Sequence, residues 1–314
     1  MPLVSVIMPA YNVEPFIDAA IASVRVQTFR DFELLVVDDG STDGTAAVAE
    51  RHVREDPRVR LMGQVNAGIS GARNLALRHA RGSLIAILDS DDAWVPGYLE
   101  AQLRVLEQRP DVDIVIGNAW FHGGPQDGRP ASPTPDPRAD PDLRSLLEDE
   151  TSVFIMTVFR REVTDTLGGF DESFRCNEDY DLWIRAALAG FRFTRNDTPA
   201  GYYRRREDSL SANELRMLTG ILRVYAKTRP ALANRPEELA VLDRQVRRFE
   251  TEQVAALARQ ALQAGDHAGI ERWVTDLHHR RGGLLLLAAR LAARRFPGLL
   301  TRAYQVHRFR LRHI

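Results

Sequence analysis

Asp89-Ser90-Asp91-Asp92 places three carboxylates within four positions. Carboxylates this close repel one another unless a cation lies among them. If the segment continues the extended apolar run at 84–88, Asp89 and Asp91 point to the same side. Two hard oxygen donors on one side suit Mg²⁺ or Mn²⁺, which keep open positions for phosphate oxygens. The competing role is a helix cap and turn ahead of Pro96, a part Asp92 could fill. A second acidic stretch, Asp38-Asp39-Gly40-Ser41-Thr42-Asp43, is either a plain turn or a carboxylate accepting hydrogen bonds from a base or ribose. Asn66-Ala67-Gly68 and Ala72-Arg73-Asn74 follow, and the fork of donors on Arg73 suits phosphate oxygens. Glu178-Asp179 precedes a helical pattern. Asp179 is there either as an N-cap or as a general base that takes a proton from an attacking hydroxyl.

Other candidates carry less. Cys176 reads as a small filler, since no histidine stands beside it in sequence. Trp94 and Trp183 read as core or pocket walls, with Trp94 also able to stack on a sugar. His278-His279 is too isolated for a metal site.

The elements that must position these residues alternate. Apolar runs at 4–8, 34–37, 59–62, 84–88 and 112–116 read as strands. Helical patterns lie between them at 16–24, 45–53, 71–80 and 96–108. Unbroken apolar strands alternating with helices predict a mainly parallel sheet covered on both faces. In such sheets ligands bind beyond the carboxyl ends of the strands, where all the acidic stretches fall. Residues 122–142, rich in Pro, Gly and Asp, read as a long mobile loop. A strand is expected at 153–159, a helix at 180–189 and a strand at 191–194. From 215 onward the pattern is helical, with a hairpin of 255–264 and 268–277 about Gly265-Asp266. The expected division is therefore 1–214 and 215–314.

The 314 residues carry a formal net charge of −1, which gives no signal for nucleic acid. A single cysteine excludes an intrachain disulfide and fits a reducing compartment. No basic and apolar leader precedes Val4, so no signal peptide is expected. No apolar run approaches the roughly 18–20 residues that span a bilayer. The stretch 280–314 holds many arginines, no acidic residue and interspersed apolar positions. That composition suits a helix lying in a membrane surface. Packing on the domain or on a second subunit, as in a homodimer, is the competing role.

Taken in order, six segments resemble the family 2 glycosyltransferases with the GT-A fold. They are Ser5-Val-Ile-Met-Pro-Ala-Tyr-Asn12, Val37-Asp-Asp-Gly-Ser-Thr-Asp43, Asn66-Ala-Gly68 with Ala72-Arg-Asn74, Asp89-Ser-Asp-Asp92, Gly168-Gly-Phe-Asp171 and Glu178-Asp-Tyr-Asp-Leu-Trp183. The resemblance covers residues 2–211. It implies an α/β GT-A nucleotide-diphospho-sugar transferase fold with an α-helical C-terminal extension. It implies that Pro9, Ala10 and Tyr11 line the nucleotide pocket, and that Asp39, with Asp38, binds base or ribose. Asn66, Gly68 and Arg73 would hold the nucleotide, Asp89 and Ser90 the ribose or donor sugar, and Asp91 a Mn²⁺ or Mg²⁺ on the diphosphate. Asp179 would be the base, with Glu178 its neighbour, in an inverting transfer. The implied partners are a nucleoside-diphosphate sugar, UDP-sugars favoured, and a glycan or lipid-linked acceptor in bacterial surface polysaccharide synthesis. The implied place is the cytoplasm, peripheral on the inner face of the plasma membrane. Relatives often carry a metal-ligating histidine where this chain has Arg204, Arg205 and Arg206. An arginine cannot ligate a cation. These arginines are therefore expected to supply charge to the diphosphate. A sugar-phosphate nucleotidyltransferase would want an early glycine-rich stretch and a lysine, where this chain has Met8-Pro-Ala-Tyr-Asn12. A catalytically silent nucleotide- or glycan-binding module is the remaining alternative.

Overall fold

The computed structural model describes residues 1–136, 138–153, 156–206, 209 and 212–312. Several positions named above lie outside the described residues: Pro137 of the expected loop, Phe154 and Ile155 of the expected strand, Leu210 and Ser211 at the end of the family resemblance, and His313 and Ile314 of the tail.

Every residue of β1 (Val4–Ala10) is buried, which is why it reads as an unbroken apolar run: both faces of the strand are covered. It lies in parallel between β2 (Phe32–Asp38) and β4 (Leu84–Ile87), and β2 pairs in parallel with β3 (Val59–Gly63). The register sets Ala10 beside Asp38 and Ile7 beside Ile87. The segments that follow β1, β2 and β4 therefore leave the sheet at one edge, level with one another. The helices α1 (Glu14–Arg25), α2 (Thr45–Glu55), α3 (Ile69–His79) and α4 (Tyr98–Gln108) complete the alternation expected from sequence.

The other half of the sheet is mixed. The full strand order is β3-β2-β1-β4-β7-β6-β8-β5. The added strands are β5 (Ala93–Trp94), β6 (Ile114–His122), β7 (Thr157–Arg160) and β8 (Phe193–Arg204). β7 runs antiparallel to β4 and β6, and β5 antiparallel to β8. β6 and β8 are parallel, with register shifts after Ile116 and Asn118. β8 extends ten residues past the expected end at 194, and that extension carries Arg204 to the acidic edge.

Three readings are corrected here. Residues 90 and 91 form a turn, not extended chain, with the Asp92 N–H donating to the Asp89 carbonyl at 3.1 Å. The argument from strand alternation at Asp89 and Asp91 therefore fails. Asp92 caps no helix, because β5 follows it, and α4 begins beyond Pro96 with Gly97 as its N-cap. The segment 122–142 is tied down: Asn118 accepts from the Ser132 N–H at 3.0 Å and donates to the Asp197 carbonyl at 2.8 Å. Asp142 closes it by capping the short helix α5 (Leu143–Glu148), accepting from the Ser145 N–H at 2.8 Å.

The remaining helices are α6 (Arg161–Leu167), α7 (Glu178–Ala189), α8 (Glu214–Thr228), α9 (Pro236–Ala264), α10 (His267–Arg281), α11 (Leu284–Arg295) and α12 (Pro297–Arg312). One apolar layer joins α1, α2 and α4 to one face of the sheet. The layer on the other face runs across the expected boundary at 214, since Leu218, Val224 and Tyr225 of α8 and Leu242 and Phe249 of α9 share it with Ile85 and Phe159. A separate small core begins at Ala258 and is filled by Ile270, Val274 and Ala293. The hairpin about Gly265-Asp266 forms as expected: Gly265 takes the left-handed conformation and Asp266 accepts from the Gly269 N–H at 3.0 Å.

Candidate functional site

At the carboxyl edge of β1, β2 and β4 the loops clip to one another. Asn12 holds a left-handed conformation, its N–H donating to Ser41 Oγ at 3.0 Å and its Oδ1 accepting from the Thr42 N–H at 2.8 Å. Asp38 accepts from the Ser41 N–H at 3.1 Å. Pro9 and Ala10 are buried beneath, and the Tyr11 ring stands half exposed above them. Asp39 is buried, with both oxygens taken up by the segment after β3. Its Oδ1 accepts from Gln64 Nε2 at 2.7 Å and the Ala67 N–H at 2.8 Å, and its Oδ2 from the Gly68 N–H at 2.9 Å. Asp39 thus shapes the loop that carries exposed Asn66. Gly68 opens α3 at φ +84°, and the Arg175 guanidinium occupies the space a side chain there would need. Among the described residues Arg175 has no ion-pair partner.

Arg73 does not face open space. It is buried, donating from Nη2 to Asp89 Oδ1 at 2.7 Å and from Nη1 to Glu178 Oε1. Burial, which pulls an arginine pKa down, is outweighed by Asp89 and Glu178, so its pKa is raised. Its guanidinium carbon lies 5.3 Å from the centre of the Phe170 ring. Phe170 is set there by Asn74, which donates to its carbonyl at 2.8 Å and accepts its N–H at 2.9 Å. The segments 72–74 and 168–171 are therefore one device. The expectation of a phosphate-facing Arg73 gives way to an arginine that gathers carboxylates.

Glu178 and Asp179 open α7 behind the left-handed Asn177. Burial raises the pKa of both. Arg73 opposes that rise in both, while Asp179 adds to it at Glu178 and Asp89 adds to it at both. Asp179 is no N-cap, since that place is held by Asn177, though its Oδ1 does accept from the adjacent Tyr180 N–H at 2.8 Å.

The acidic cluster is met by arginines from β8 and the segment after it. Asp92 is buried, its Oδ1 accepting from the Arg204 N–H at 2.8 Å and its Oδ2 having no partner. Arg204 Nε donates to the Asp91 carbonyl at 2.9 Å, and Arg206 Nη1 lies 3.3 Å from Asp91 Oδ2. Both guanidiniums lie over the Phe16 ring, at 5.0 and 4.4 Å. Arg205 turns away, toward Phe121 and Tyr203. Ser90 is buried within the turn. Burial, then repulsion from Asp89, raises the Asp91 pKa against Arg206; burial, then Asp91 and Asp89, raises that of Asp92 further. The site thus holds more negative charge than its arginines balance, and a divalent cation fits that surplus. Among the described residues no three His, Cys, Asp or Glu side chains converge as a cage. Asp91 suits a cation that takes its other ligands from phosphate and water.

Phe170 lies in one of the six segments, but Gln64, Phe16 and Arg175 were not expected at the site. Phe16 has the helical spacing of a core residue, and Gln64 and Arg175 stand alone between elements, so nothing local marked them.

With this geometry in place, comparison with known proteins is specific. The family model "Glycosyl transferase family 2" matches residues 5–168. A glycosyltransferase of Bacillus subtilis (strain 168), the uncharacterized EpsJ, is 33% identical over 222 residues, 67% of this chain and 63% of that protein. The UDP-Glc:alpha-D-GlcNAc-diphosphoundecaprenol beta-1,3-glucosyltransferase WfgD of Escherichia coli is 44% identical over 117 residues, 37% of this chain and 45% of that protein. The chain thus spans less than two thirds of the length of either relative. Among solved structures, S. aureus TarS residues 1–349 in complex with UDP-GlcNAc superposes with a TM-score of 0.65 at 21% identity, covering 98% of this chain and 92% of that one. At that identity the likeness is one of fold.

Proposed function

The chain belongs to glycosyl transferase family 2, and from that membership we propose that it moves a sugar, with inversion, from a nucleoside-diphosphate sugar to a hydroxyl of a glycan or lipid-linked acceptor in bacterial surface polysaccharide synthesis. The observation that carries this reading is Arg73 bridging Asp89 and Glu178, because it joins the donor edge of the sheet to the start of α7. UDP is the favoured nucleotide, supported by the UDP-Glc in the name of the WfgD relative and the UDP-GlcNAc bound to the TarS neighbour.

Tyr11, Asp38, Asp39, Asn66 and Gly68 form the nucleotide wall, with Asp39 acting through the loop it holds. Asp89 and Ser90 face the ribose or donor sugar. Asp91 holds a Mn²⁺ or Mg²⁺, which when bound offsets charge growing on the leaving diphosphate. Arg204 and Arg206 orient the cluster, Arg175, without an ion-pair partner among the described residues, meets a phosphate oxygen, and Arg205 lies farther off. Asp179 takes the acceptor's proton as the hydroxyl oxygen attacks the anomeric carbon, and the bond to the diphosphate breaks with its electron pair. Arg73 pairs with Glu178 beside Asp179, opposing the rise that burial imposes on it, and so ties α7 to the acidic edge. We also place the chain in the cytoplasm, on the inner face of the plasma membrane through residues 280–314.

Incubation with UDP- and GDP-sugars and Mn²⁺ tests the reading. Donor breakdown is expected with at least one of them. Tight nucleotide binding with no breakdown of any donor would instead support a silent binding module.

A further inference from the structure

A cavity of about 430 Å³ has Asp179 in its lining. That size falls within the roughly 300–1,000 Å³ of small-ligand pockets. Its walls come from α7, α8, α9 and residues 150–153, so the helices beyond 214 build half of it. Trp183 and Phe249 stand in the wall, almost fully buried, and Ile221 closes the α8 side. The Trp183 indole N–H is buried and has no partner among the described residues, a condition that costs free energy unless a ligand or water meets it.

The electrostatics of the cavity are one-sided. Besides Asp179 its lining carries Glu150, Glu214 and Glu252, and no lysine, arginine or histidine lines it among the described residues. Arg248 and Arg259 engage Glu252 and Glu214 without joining the lining. Glu150, which has no ion pair among the described residues, is driven above its ordinary pKa range by burial. A ligand there meets hydrogen-bond acceptors, which suit a pyranose with free hydroxyls. A second negative charge would meet Asp179 and Glu150, which have no ion pair among the described residues, while Arg248 and Arg259 offset Glu252 and Glu214.

We propose that this cavity seats the terminal sugar of the acceptor and that its carboxylate lining restricts that sugar to neutral or amino sugars, excluding uronic acids and phosphorylated sugars. The proposal rests on Asp179 as the base: Asp179 is one of the residues that line this cavity, so a hydroxyl seated here stands beside it. The C-terminal helices are then part of acceptor selection.

The test uses the full chain, a donor that it breaks down, and aryl glycosides as acceptors: glucoside, N-acetylglucosaminide, glucosaminide, glucuronide and glucoside 6-phosphate. The neutral and amino glycosides are expected to accelerate donor consumption, with kcat/KM at least about tenfold above the glucuronide and the phosphate. Ile221→Trp, which fills the cavity, is expected to raise the acceptor KM about tenfold or more while leaving UDP affinity and slow donor hydrolysis unchanged. Glu252→Gln sits on a more open wall that tolerates change; it should narrow the gap between glucoside and glucuronide. Equal use of glucuronide and glucoside would overturn the proposal. So would an unchanged acceptor KM in a folded Ile221→Trp together with an unchanged gap in Glu252→Gln, or donor hydrolysis that no neutral or amino glycoside accelerates. Absence of any donor breakdown by the wild type would fail the transferase reading itself, a separate result.

Discussion

Arg73 holds carboxylates from two distant parts of the chain, Asp89 and Glu178, and is itself out of solvent. Removing one partner of a buried ion pair leaves the others uncompensated, at about 3–5 kcal/mol. Arg73→Leu is therefore expected to lose stability in that range by urea denaturation. Arg73→Lys should lose less stability yet still lower transfer, because a point charge cannot span two carboxylates as a fork does. If Arg73→Leu unfolds at the wild-type urea midpoint, the bridge contributes nothing. Asp179 gives the second residue-scale expectation. Burial holds its carboxyl above the ordinary value of about 3.9. A base must be ionised, so activity falls as pH drops through that raised pKa. The acid limb of kcat/KM should thus lie above the usual aspartate range, and Asp179→Asn should abolish the limb and lower kcat by about 10²–10⁴-fold. At this scale residue type was legible in sequence and partnership was not. Six segments marked where the acids and Arg73 stand, but Asp39 turned inward to its loop and Asp92 to Arg204, since hydrogen-bond geometry is fixed by tertiary contacts between positions far apart.

The segment from β3 to α3 shows what an element adds. Its backbone N–H groups at Ala67 and Gly68 converge on Asp39, and Gly68 makes this possible at φ +84° and ψ 170°, a conformation nearly closed to other residues. Gly68→Ala is expected to cost about 1–3 kcal/mol and to weaken UDP binding more than it lowers the melting temperature. Calorimetry with UDP alongside a thermal melt reads both, and wild-type UDP affinity in a folded Gly68→Ala would show that the loop conformation does not matter to the nucleotide. The long parallel strands and their helices were legible because each combines length with a clear apolar period. β5, α5 and α6 were not, being two, six and seven residues long. The turn at 90–91 was misjudged for a related reason: its shape is set by β5 pairing with β8, a contact between positions over a hundred residues apart.

For the whole molecule, the unanswered surface is the C-terminal pair of helices. Leu287, Leu291, Arg294 and Arg295 recur at helical spacing on the outer side of α11, and Phe296, Leu299 and Arg302 continue the exposed surface into α12. Residues 280–314 hold nine arginines and no acid. Among Arg280, Arg281, Arg290, Arg294, Arg295 and Arg302, Arg280 and Arg294 are ion-paired with described residues. No helix among the described residues is long and apolar enough to cross a membrane. Leucines beside arginines such as Arg290, Arg295 and Arg302, which have no ion pair among the described residues, complement an anionic bilayer surface, where each basic residue contributes about 1 kcal/mol and the apolar side chains enter the headgroup layer. Binding should therefore need both charge and leucine. The full chain is expected to sediment with phosphatidylserine-containing vesicles but not with phosphatidylcholine alone, and to be released by high salt. Leu291→Glu with Phe296→Glu should weaken binding without changing the melting temperature, because both side chains are exposed. Replacing Arg281, Arg290, Arg295 and Arg302 by Gln should remove about 4 kcal/mol and with it most of the salt-sensitive part. If the wild type ignores anionic vesicles and instead sediments as a concentration-dependent dimer that Leu291→Glu dissociates, the same face is an interface between two copies, and the acceptor is brought to the enzyme without a membrane dock.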